Sequence, residues 1–562
     1  MAVDLTSEPY SFDKKTVDEI KELIATMSLD EKIGQLFFVV GRGYDEEYLH
    51  HIVYDLHVGG IMVRPLPQKT VRSIVSYVQN NSRIPLFVAA NLESGGAGAV
   101  QEGTVVGTNM MIAAAGDPQY AYEQGRICGE EAREVGVNFA FAPVSDIDFN
   151  FRNPIMNTRT FGSDKDMVKA CAVNYIKACQ KEGVLCSAKH FPGDGRDERD
   201  QHLVSSVNDC TVEEWDENYG DIYKAEIDAG VLAFMTGHIM LPSYSKALNP
   251  ELKDEDILPG SLSKELLQGL LRTKLGFNGL VLTDATTMAG FNIPMGRDKA
   301  VPCAIDAGND MFLFCKNLDE DVRFMKEGYE SGIITDERLD DALTRIIATK
   351  IKIGLLHQDF SFLEKEPVLR KKENLRISEE IADKSITLIK KEEGVLPLKK
   401  GKRILLHVLE GGSNAIGYLR SSVGDKFKEL LEKEGFEVTV FKAKEGSYEG
   451  LQQAYLDVKS RYDYIIYVAN LETKSNQTTV RIEWTNPMGV NVPIYVNSIP
   501  TVFISVANPY HLLDVPRVKT YINTYGMNDF TLQKIVDKLV GRSSFTGKDP
   551  VDSFCGKWDT HL

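Results

Sequence analysis

Eight short apolar runs, separated by amphipathic stretches, constrain the fold of this chain more than any other feature. They are QLFFVV (35–40), GGIMV (59–63), PLFVAA (85–90), NFAFAPV (138–144), GVLCSA (183–188), VLAFMT (231–236), GLVLTD (279–284) and DMFLF (310–314). Short apolar runs of this length read as candidate strands. The stretches between them are helical in pattern. In SKELLQGLLRTKL (263–275), Leu266, Leu267, Leu270, Leu271 and Leu275 recur at helical intervals, and Ser263 stands where an N-cap belongs. DMVKACAVNYIKACQ (166–180) is a second such segment, and TDERLDDALTRIIATKIKIGL (335–355) reads as a closing helix. The alternation predicts an α/β fold, a TIM-type (β/α)8 barrel over residues 1–355, with a doubly wound open sheet as the competing architecture.

At 562 residues the chain exceeds one ordinary domain. The charged, poorly periodic stretch over about 356–375, which contains HQDFSFLEKEPVLRKKENL, is the expected linker. A second α/β pattern over 376–562 follows, with strands at KRILLHVL (402–409), FEVTVF (436–441), YDYIIYVAN (462–470), TVFISVAN (501–508) and TYINTY (520–525). It reads as a smaller three-layer α/β sandwich with a largely parallel sheet.

Composition narrows the function classes. A net charge of −17, with no Arg/Lys-rich run interleaved with aromatics, argues against a nucleic-acid partner. No apolar stretch is long enough to span a bilayer, so no membrane partner is expected. The opening MAVDLTSEPYSFDKKTVDEI lacks the basic start and apolar centre of a secretory signal. The eight cysteines form no C-x-x-C pair, and several sit in apolar runs where a free thiol packs as a small hydrophobe. These features predict a cytoplasmic protein. No cluster has metal-ligand spacing and no Gly-rich run matches a nucleotide fingerprint, so neither a metal nor an organic cofactor is expected.

Polar residues gather where the first eight runs end. PLFVAA leads into Asn91 and Glu93, NFAFAPV into Asp146 and Asp148, GVLCSA into Lys189 and His190, VLAFMT into His238 and GLVLT into Asp284. A barrel brings strand ends to one face, and catalytic groups collect there. The segment AKHFPGDGRDERDQHL (188–203) is the densest, and its Asp200 and His202 are spaced so that a carboxylate can orient an imidazole. Asp194, Asp197 and the charges around them read as solvated. Asp284 has two readings: the N-cap of a following helix, or a carboxylate nucleophile at the end of a buried strand. Arg159, in NPIMNTRTFGSD (153–164), follows the NFAFAPV strand and its polar loop, and its fixed donors suit hydroxyl or carboxylate recognition.

Taken together, these motifs resemble glycoside hydrolase family 3. MSLDEKIGQLFFV (27–39), FAPVSDID (141–148), NTRTFGSD (157–164), AKHFPGDG (188–195) and LGFNGLVLTDATTMAG (275–290) follow the family's barrel motifs in order. AIDAGNDMFLFC (304–315) and RIIATKIKIGLL (345–356) fit the barrel's end, ADKSITLIKKEEGVLPL (382–398) resembles the start of its second domain, and FTGKDPVD (545–552) that domain's tail. The resemblance implies a retaining exo-acting β-glycosidase with Asp284 as nucleophile and Lys189, His190 and Arg159 binding sugar hydroxyls. Many members take their proton donor, a Glu, from the second domain. The β-N-acetylglucosaminidase branch is closer to this chain's loop, and that match makes His202 the acid/base and Asp200 its partner, a mobile pair carried over the site.

The run NLESGGAGAV departs from the family's pattern: Asn91 falls where an Asp is common, and the Arg that the branch carries shortly afterwards is missing. Glu93 is the candidate to compensate, and His238 a further candidate for substrate binding. The expected activity is removal of terminal β-linked N-acetylglucosamine (GlcNAc) from a small-molecule carbohydrate, such as a GlcNAc-containing oligosaccharide or muropeptide. The alternatives are a β-glucosidase or β-xylosidase using a Glu in KEEGVLPL or near Glu483, a β-GlcNAc phosphorylase, and a non-catalytic sugar-binding protein. Oligomeric state is not set by the sequence.

Overall fold

Each of the eight apolar runs forms a strand of one parallel sheet in the computed structural model of the chain. The structure describes residues 2–41, 44–411, 423–442, 448, 454–473, 475–476, 478–484 and 486–562. The strands are β1 (Phe37–Val40), β2 (Gly60–Met62), β3 (Phe87–Ala90), β4 (Phe139–Ala140), β5 (Leu185–Phe191), β6 (Ala233–Thr236), β7 (Leu280–Thr283) and β8 (Phe312–Leu313). They pair in chain order, and β8 returns to β1 through Phe37↔Phe312 and Phe38↔Leu313. A parallel bridge from Leu282 to Met311 joins β7 to the approach of β8, so the sheet closes into a barrel rather than remaining open. The rings of Phe38, Phe87, Phe139 and Phe141, from β1, β3, β4 and the residue after it, pack at centroid distances of 5.2–5.8 Å. Large side chains of this kind fill such a barrel as a solid core.

The expected helices form with the expected faces inward. Lys165–Lys181 buries Val168, Cys171, Ala172, Tyr175, Ile176 and Cys179 along one face. Ser263 Oγ accepts from Leu266 N (3.2 Å), starting the Glu265–Lys274 helix that buries Leu266, Leu267, Leu270 and Leu271. That helix is wider than an α-helix, a local geometry that apolar spacing does not encode.

The barrel's closure carries a buried charge cluster. Asp310, which precedes β8, is fully buried. Its Oδ2 accepts from Val281 N and from Arg272 Nη2, both at 2.8 Å, and its Oδ1 from Arg338 Nη2 at 2.6 Å. Arg345 Nε lies 3.9 Å away. Asp310 N in turn donates to Val281 O. Asp341 shares Arg338 (2.7 Å) and Arg345 (3.3 Å) with Asp310, so Asp310 is the direct counter-charge of Arg272, the second partner of Arg338, and the group that pins β7 to β8.

The chain divides into two compact units. The first comprises Met1–Val106, Pro118–Asn150 and Lys165–Leu375; the second comprises Gly107–Asp117, Phe151–Asp164 and Arg376–Leu562. Two short segments inside 1–355 therefore belong with the second unit. The stretch read as a linker packs along the first: Arg72 donates to the carbonyls of Leu363 and Lys365, and Arg370 N donates to Glu131 (2.9 Å).

The second unit holds a six-stranded mixed sheet of β9 (Thr387–Lys390), β10 (Arg403–Glu410), β11 (Glu437–Val440), β12 (Tyr464–Asn470), β13 (Thr501–Ser505) and β14 (Thr520–Asn523). The order is β9-β14-β13-β12-β10-β11, and every pair is parallel except β9 with β14. Alternate residues feed two apolar clusters, Ile404, Leu406, Ile466 and Val468 on one face and Leu405, Ile465 and Tyr467 on the other. β9 lies inside the stretch expected to open this unit, where no separate strand was expected.

No helix among the described residues is long and apolar enough to cross a membrane. None of the eight cysteines, all of them among the described residues, is in a disulfide.

Replacing Asp310 with Asn should lower stability by about 3–5 kcal/mol, because it leaves the buried Arg272 without its paired carboxylate. Urea denaturation followed by circular dichroism measures this; a loss below about 1 kcal/mol, as for a surface ion pair, would contradict the role.

Candidate active site

The site is built on Asp146, a fully buried carboxylate just after β4. Ser145 N donates to Lys189 O (2.7 Å), and Val144 bridges to Lys189, which aligns this segment with the end of β5. Asp146 then accepts from His190 Nδ1 at 2.7 Å, from His190 N at 3.2 Å and from Asp194 N at 2.7 Å. β5 was expected to end at Ala188; these contacts carry it on through Lys189, His190 and Phe191. A carboxylate can only accept, so His190 Nδ1 carries the proton and Nε2 is turned toward Asp284, 3.9 Å from its Oδ2. Lys189 Nζ pairs with Glu93 Oε1 at 2.7 Å, with both side chains largely buried.

Asp284 ends β7. Its N–H donates to Thr236 O (2.8 Å), and its Oδ1 accepts from the adjacent Ala285 N (2.7 Å). The next helix begins only at Ala289, after Met288, so Asp284 is not an N-cap. Burial alone would raise its pKa, but attraction to the imidazoles beside it, His190 first, and the Ala285 N–H hold the carboxyl below the usual aspartate range. Its side chain retains 12% exposure, enough to meet a ligand.

His238 is committed elsewhere. Its Nδ1 meets Ser261 Oγ (2.7 Å) and its Nε2 meets Ala285 O (3.1 Å). The carbonyl only accepts, so Nε2 is the protonated nitrogen and Nδ1 accepts from the serine. Burial pushes this ring down to about 4, so it is neutral near pH 7. Both nitrogens are occupied by protein groups, which makes His238 a support for the backbone after Asp284 rather than a hydroxyl donor.

The Asp200–His202 pair forms as its spacing predicts. Asp200 Oδ1 accepts from His202 Nδ1 (2.7 Å) and from His202 N (2.8 Å). The Asp200 side chain is 1% exposed and that of His202 22%, which leaves the outer imidazole edge accessible. Nδ1 is protonated for the same reason as in His190, so Nε2 is the nitrogen available for proton transfer.

The loop leading to this pair differs from its sequence reading. Asp194 is 3% exposed and accepts from Gly195 N (2.6 Å) and Gln201 Nε2 (3.3 Å). The Asp197 side chain is 8% exposed and accepts from Val207 N (2.8 Å) and Arg199 Nη2 (2.7 Å). Neither is solvated, because each folds back onto backbone N–H groups of its own loop. Gly195, at φ 102°, sits so close to Ile147 O that a Cβ would lie 1.9 Å from it, so this glycine serves close packing.

The structure thus connects groups from the ends of β3, β4, β5 and β7: Glu93 to Lys189, Asp146 to His190, and His190 toward Asp284. Asn91 is exposed at the end of β3. Arg159 belongs to the second unit, where its carbonyl accepts from Asn109 Nδ2 (2.7 Å). Asp146 stood among the strand-end residues in the sequence, but nothing there singled it out as the organiser. Gln201, an uncharged residue between two charged ones, gave no signal. Among the described residues no group of three or more His, Cys, Asp or Glu is placed to hold a metal.

Residues 28–349 match the family model described as the glycosyl hydrolase family 3 N terminal domain. The chain belongs to glycosyl hydrolase family 3. It is similar to a "beta-N-acetylglucosaminidase/beta-glucosidase" of Cellulomonas fimi, 49% identical across the full length of both chains. Among solved structures it resembles the beta-glucoside phosphorylase BglX, 42% identical, with a TM-score of 0.93 over 98% of this chain and 99% of that one. A family 3 beta-N-acetylglucosaminidase from Paenibacillus sp. str. FPU-7, 24% identical, shares the fold with a TM-score of 0.81 over 94% of this chain and 99% of the other. The family and the barrel-plus-sandwich architecture expected from the motifs are borne out.

Asp146→Asn should reduce kcat/KM on an aryl glycoside by about 10²-fold, because an amide N–H₂ set against His190 Nδ1–H or Asp194 N–H displaces the strand end. Steady-state kinetics beside a thermal melt test this, and an unchanged kcat/KM would contradict it.

Proposed function

We propose that this family 3 enzyme is a retaining exo-β-N-acetylglucosaminidase in which Asp284 is the nucleophile and His202 the acid/base. The observation that carries the reading is the Asp200–His202 pair: a buried carboxylate holds Nδ1–H and leaves Nε2 at an accessible edge. Asp284, held ionised, attacks the anomeric carbon of the terminal sugar. The glycosidic C–O bond breaks as the His202 imidazolium passes its Nε2 proton to the departing oxygen, leaving a glycosyl ester on Asp284. Neutral His202 then removes a proton from an incoming acceptor, whose oxygen displaces Asp284 with net retention. Asp200 stabilises the imidazolium before donation and again after the second step.

Lys189, His190, Glu93 and Asn91 are the proposed hydroxyl-binding groups. Glu93 supplies acceptors where the family pattern's Asp and Arg are absent, and its pairing with Lys189 orients both. His238 is assigned to holding the Ala285 carbonyl. The C. fimi relative named for both N-acetylglucosaminidase and glucosidase activity supports β-glucosides as a second substrate class. Eight cysteines with no disulfide among them fit a reducing compartment such as the cytoplasm.

Phosphorolysis is the second reading, supported by the likeness to a beta-glucoside phosphorylase at 42% identity. A neutral imidazole base repels phosphate less than a carboxylate would. Phosphate would then replace water as the acceptor and release a sugar 1-phosphate.

Turnover of aryl β-GlcNAc, β-glucoside and β-xyloside, with and without phosphate, separates these readings. Aryl β-GlcNAc should be cleaved; glucoside turnover without it would refute the GlcNAc assignment, and sugar 1-phosphate as the main product would establish phosphorolysis. His202→Ala should lose about 10²–10⁴-fold on aglycons that need protonation, and Asp284→Ala should lose turnover altogether. Since protonation disables the nucleophile and its pKa is lowered, kcat/KM should not fall on the acid side through Asp284 until below pH of about 4. An Asp284-dependent fall centred at pH 5 or above would contradict that.

A further inference from the structure

Gln201 lies between the two members of the acid/base pair, and its side chain points away from solvent, with 1% of the residue exposed. Its Oε1 accepts from His238 N (2.7 Å), at the end of β6. Its Nε2 donates to Asp194 Oδ2 (3.3 Å), and Asp194 N is held by Asp146. Its carbonyl accepts from Gly290 N (3.0 Å), and the carbonyl of His202 accepts from Ala289 N (3.1 Å). The peptide that carries the pair is thus fastened to the segment after β6, to the segment after β7 that also carries Asp284, and to the β5 loop. At Gly290 a Cβ would lie 3.0 Å from Gln201 O and 2.9 Å from His238 Cβ, so only glycine lets the two segments meet this closely.

We infer that Gln201 is a positioning residue for general acid/base catalysis: its amide seats the loop so that His202 faces the leaving-group oxygen. This rests on His202 being the acid/base. The amide suits the task because it offers an acceptor to one N–H and a donor to one carboxylate at the same time. Glu cannot supply the donor, and a shorter side chain cannot span both partners. With the loop seated, the His202 ring approaches from a fixed backbone and proton transfer needs no further ordering. With the latch cut, Asp284 and the sugar-binding groups keep their own contacts, and the proton donor alone loses its register.

This separates the latch from a general structural role. The experiment uses the full chain and a series of aryl β-glycosides whose phenol leaving groups range from strongly acidic to a pKa of about 10. Gln201→Met keeps the volume and removes both side-chain hydrogen bonds. It should lose about 10–10²-fold in kcat/KM on the poorest leaving groups and no more than about threefold on the most activated ones, the cost of misplacing a catalytic group. Gly290→Ala, which pushes the same contact from the other side, should give the same dependence on leaving group. His202→Ala is the reference and should show it most steeply. A uniform loss across the series in both variants, with His202→Ala still steep, would overturn the role of Gln201 and leave the acid/base assignment standing. A flat His202→Ala would remove the acid/base assignment and the latch with it.

Discussion

The site depends on one buried carboxylate. Asp146 accepts both the side-chain and the backbone N–H of His190 and the N–H of Asp194. An unpaired buried carboxylate is costly, and hydrogen bonds to a charged group contribute about 1.5–3 kcal/mol each. The three donors satisfy Asp146 only if β5 continues past Ala188 and the following loop turns back over β4. That geometry aims His190 Nε2 at Asp284, brings Lys189 to Glu93, and places Asp194 where Gln201 reaches it.

From that anchor the two proposed catalytic groups divide by their attachment. Asp284 is fixed by backbone, with Thr236 O on one side and Ala285 N on the other, and is kept ionised by the charge and N–H groups around it. His202 is fixed through its loop, by Asp200 on the ring and by Gln201 and Gly290 on the peptide. A nucleophile benefits from a strand end, since the anomeric carbon must be met at one point. An acid/base that serves two successive steps benefits from an exposed edge whose protonated nitrogen is set by a partner.

The barrel was legible because strands buried on both faces leave unbroken apolar runs, and all eight runs became strands. The Asp200–His202 pair was legible because its geometry is local: two residues apart, one carboxylate reaches one ring. What escaped the sequence is non-local or uncharged. Asp194 and Asp197 read as solvated because charge density was visible and the backbone N–H groups that receive them were not. Gln201 matters through residues 7 and 37 positions away, and nothing in its own neighbourhood announces that. The segments 107–117 and 151–164 belong with the second unit through contacts far along the chain, and β9 is a short strand whose apolar residues merged with the motif around them.

The central claim is that Asp284 forms the covalent bond to the sugar. A 2-deoxy-2-fluoro glycosyl donor with an activated leaving group slows breakdown of such an intermediate, so intact-protein mass spectrometry followed by peptide mapping locates it. A single glycosyl adduct should appear on the peptide carrying Asp284 and be absent from Asp284→Ala. An adduct on another carboxylate, or rapid turnover with inversion and no adduct, would contradict it.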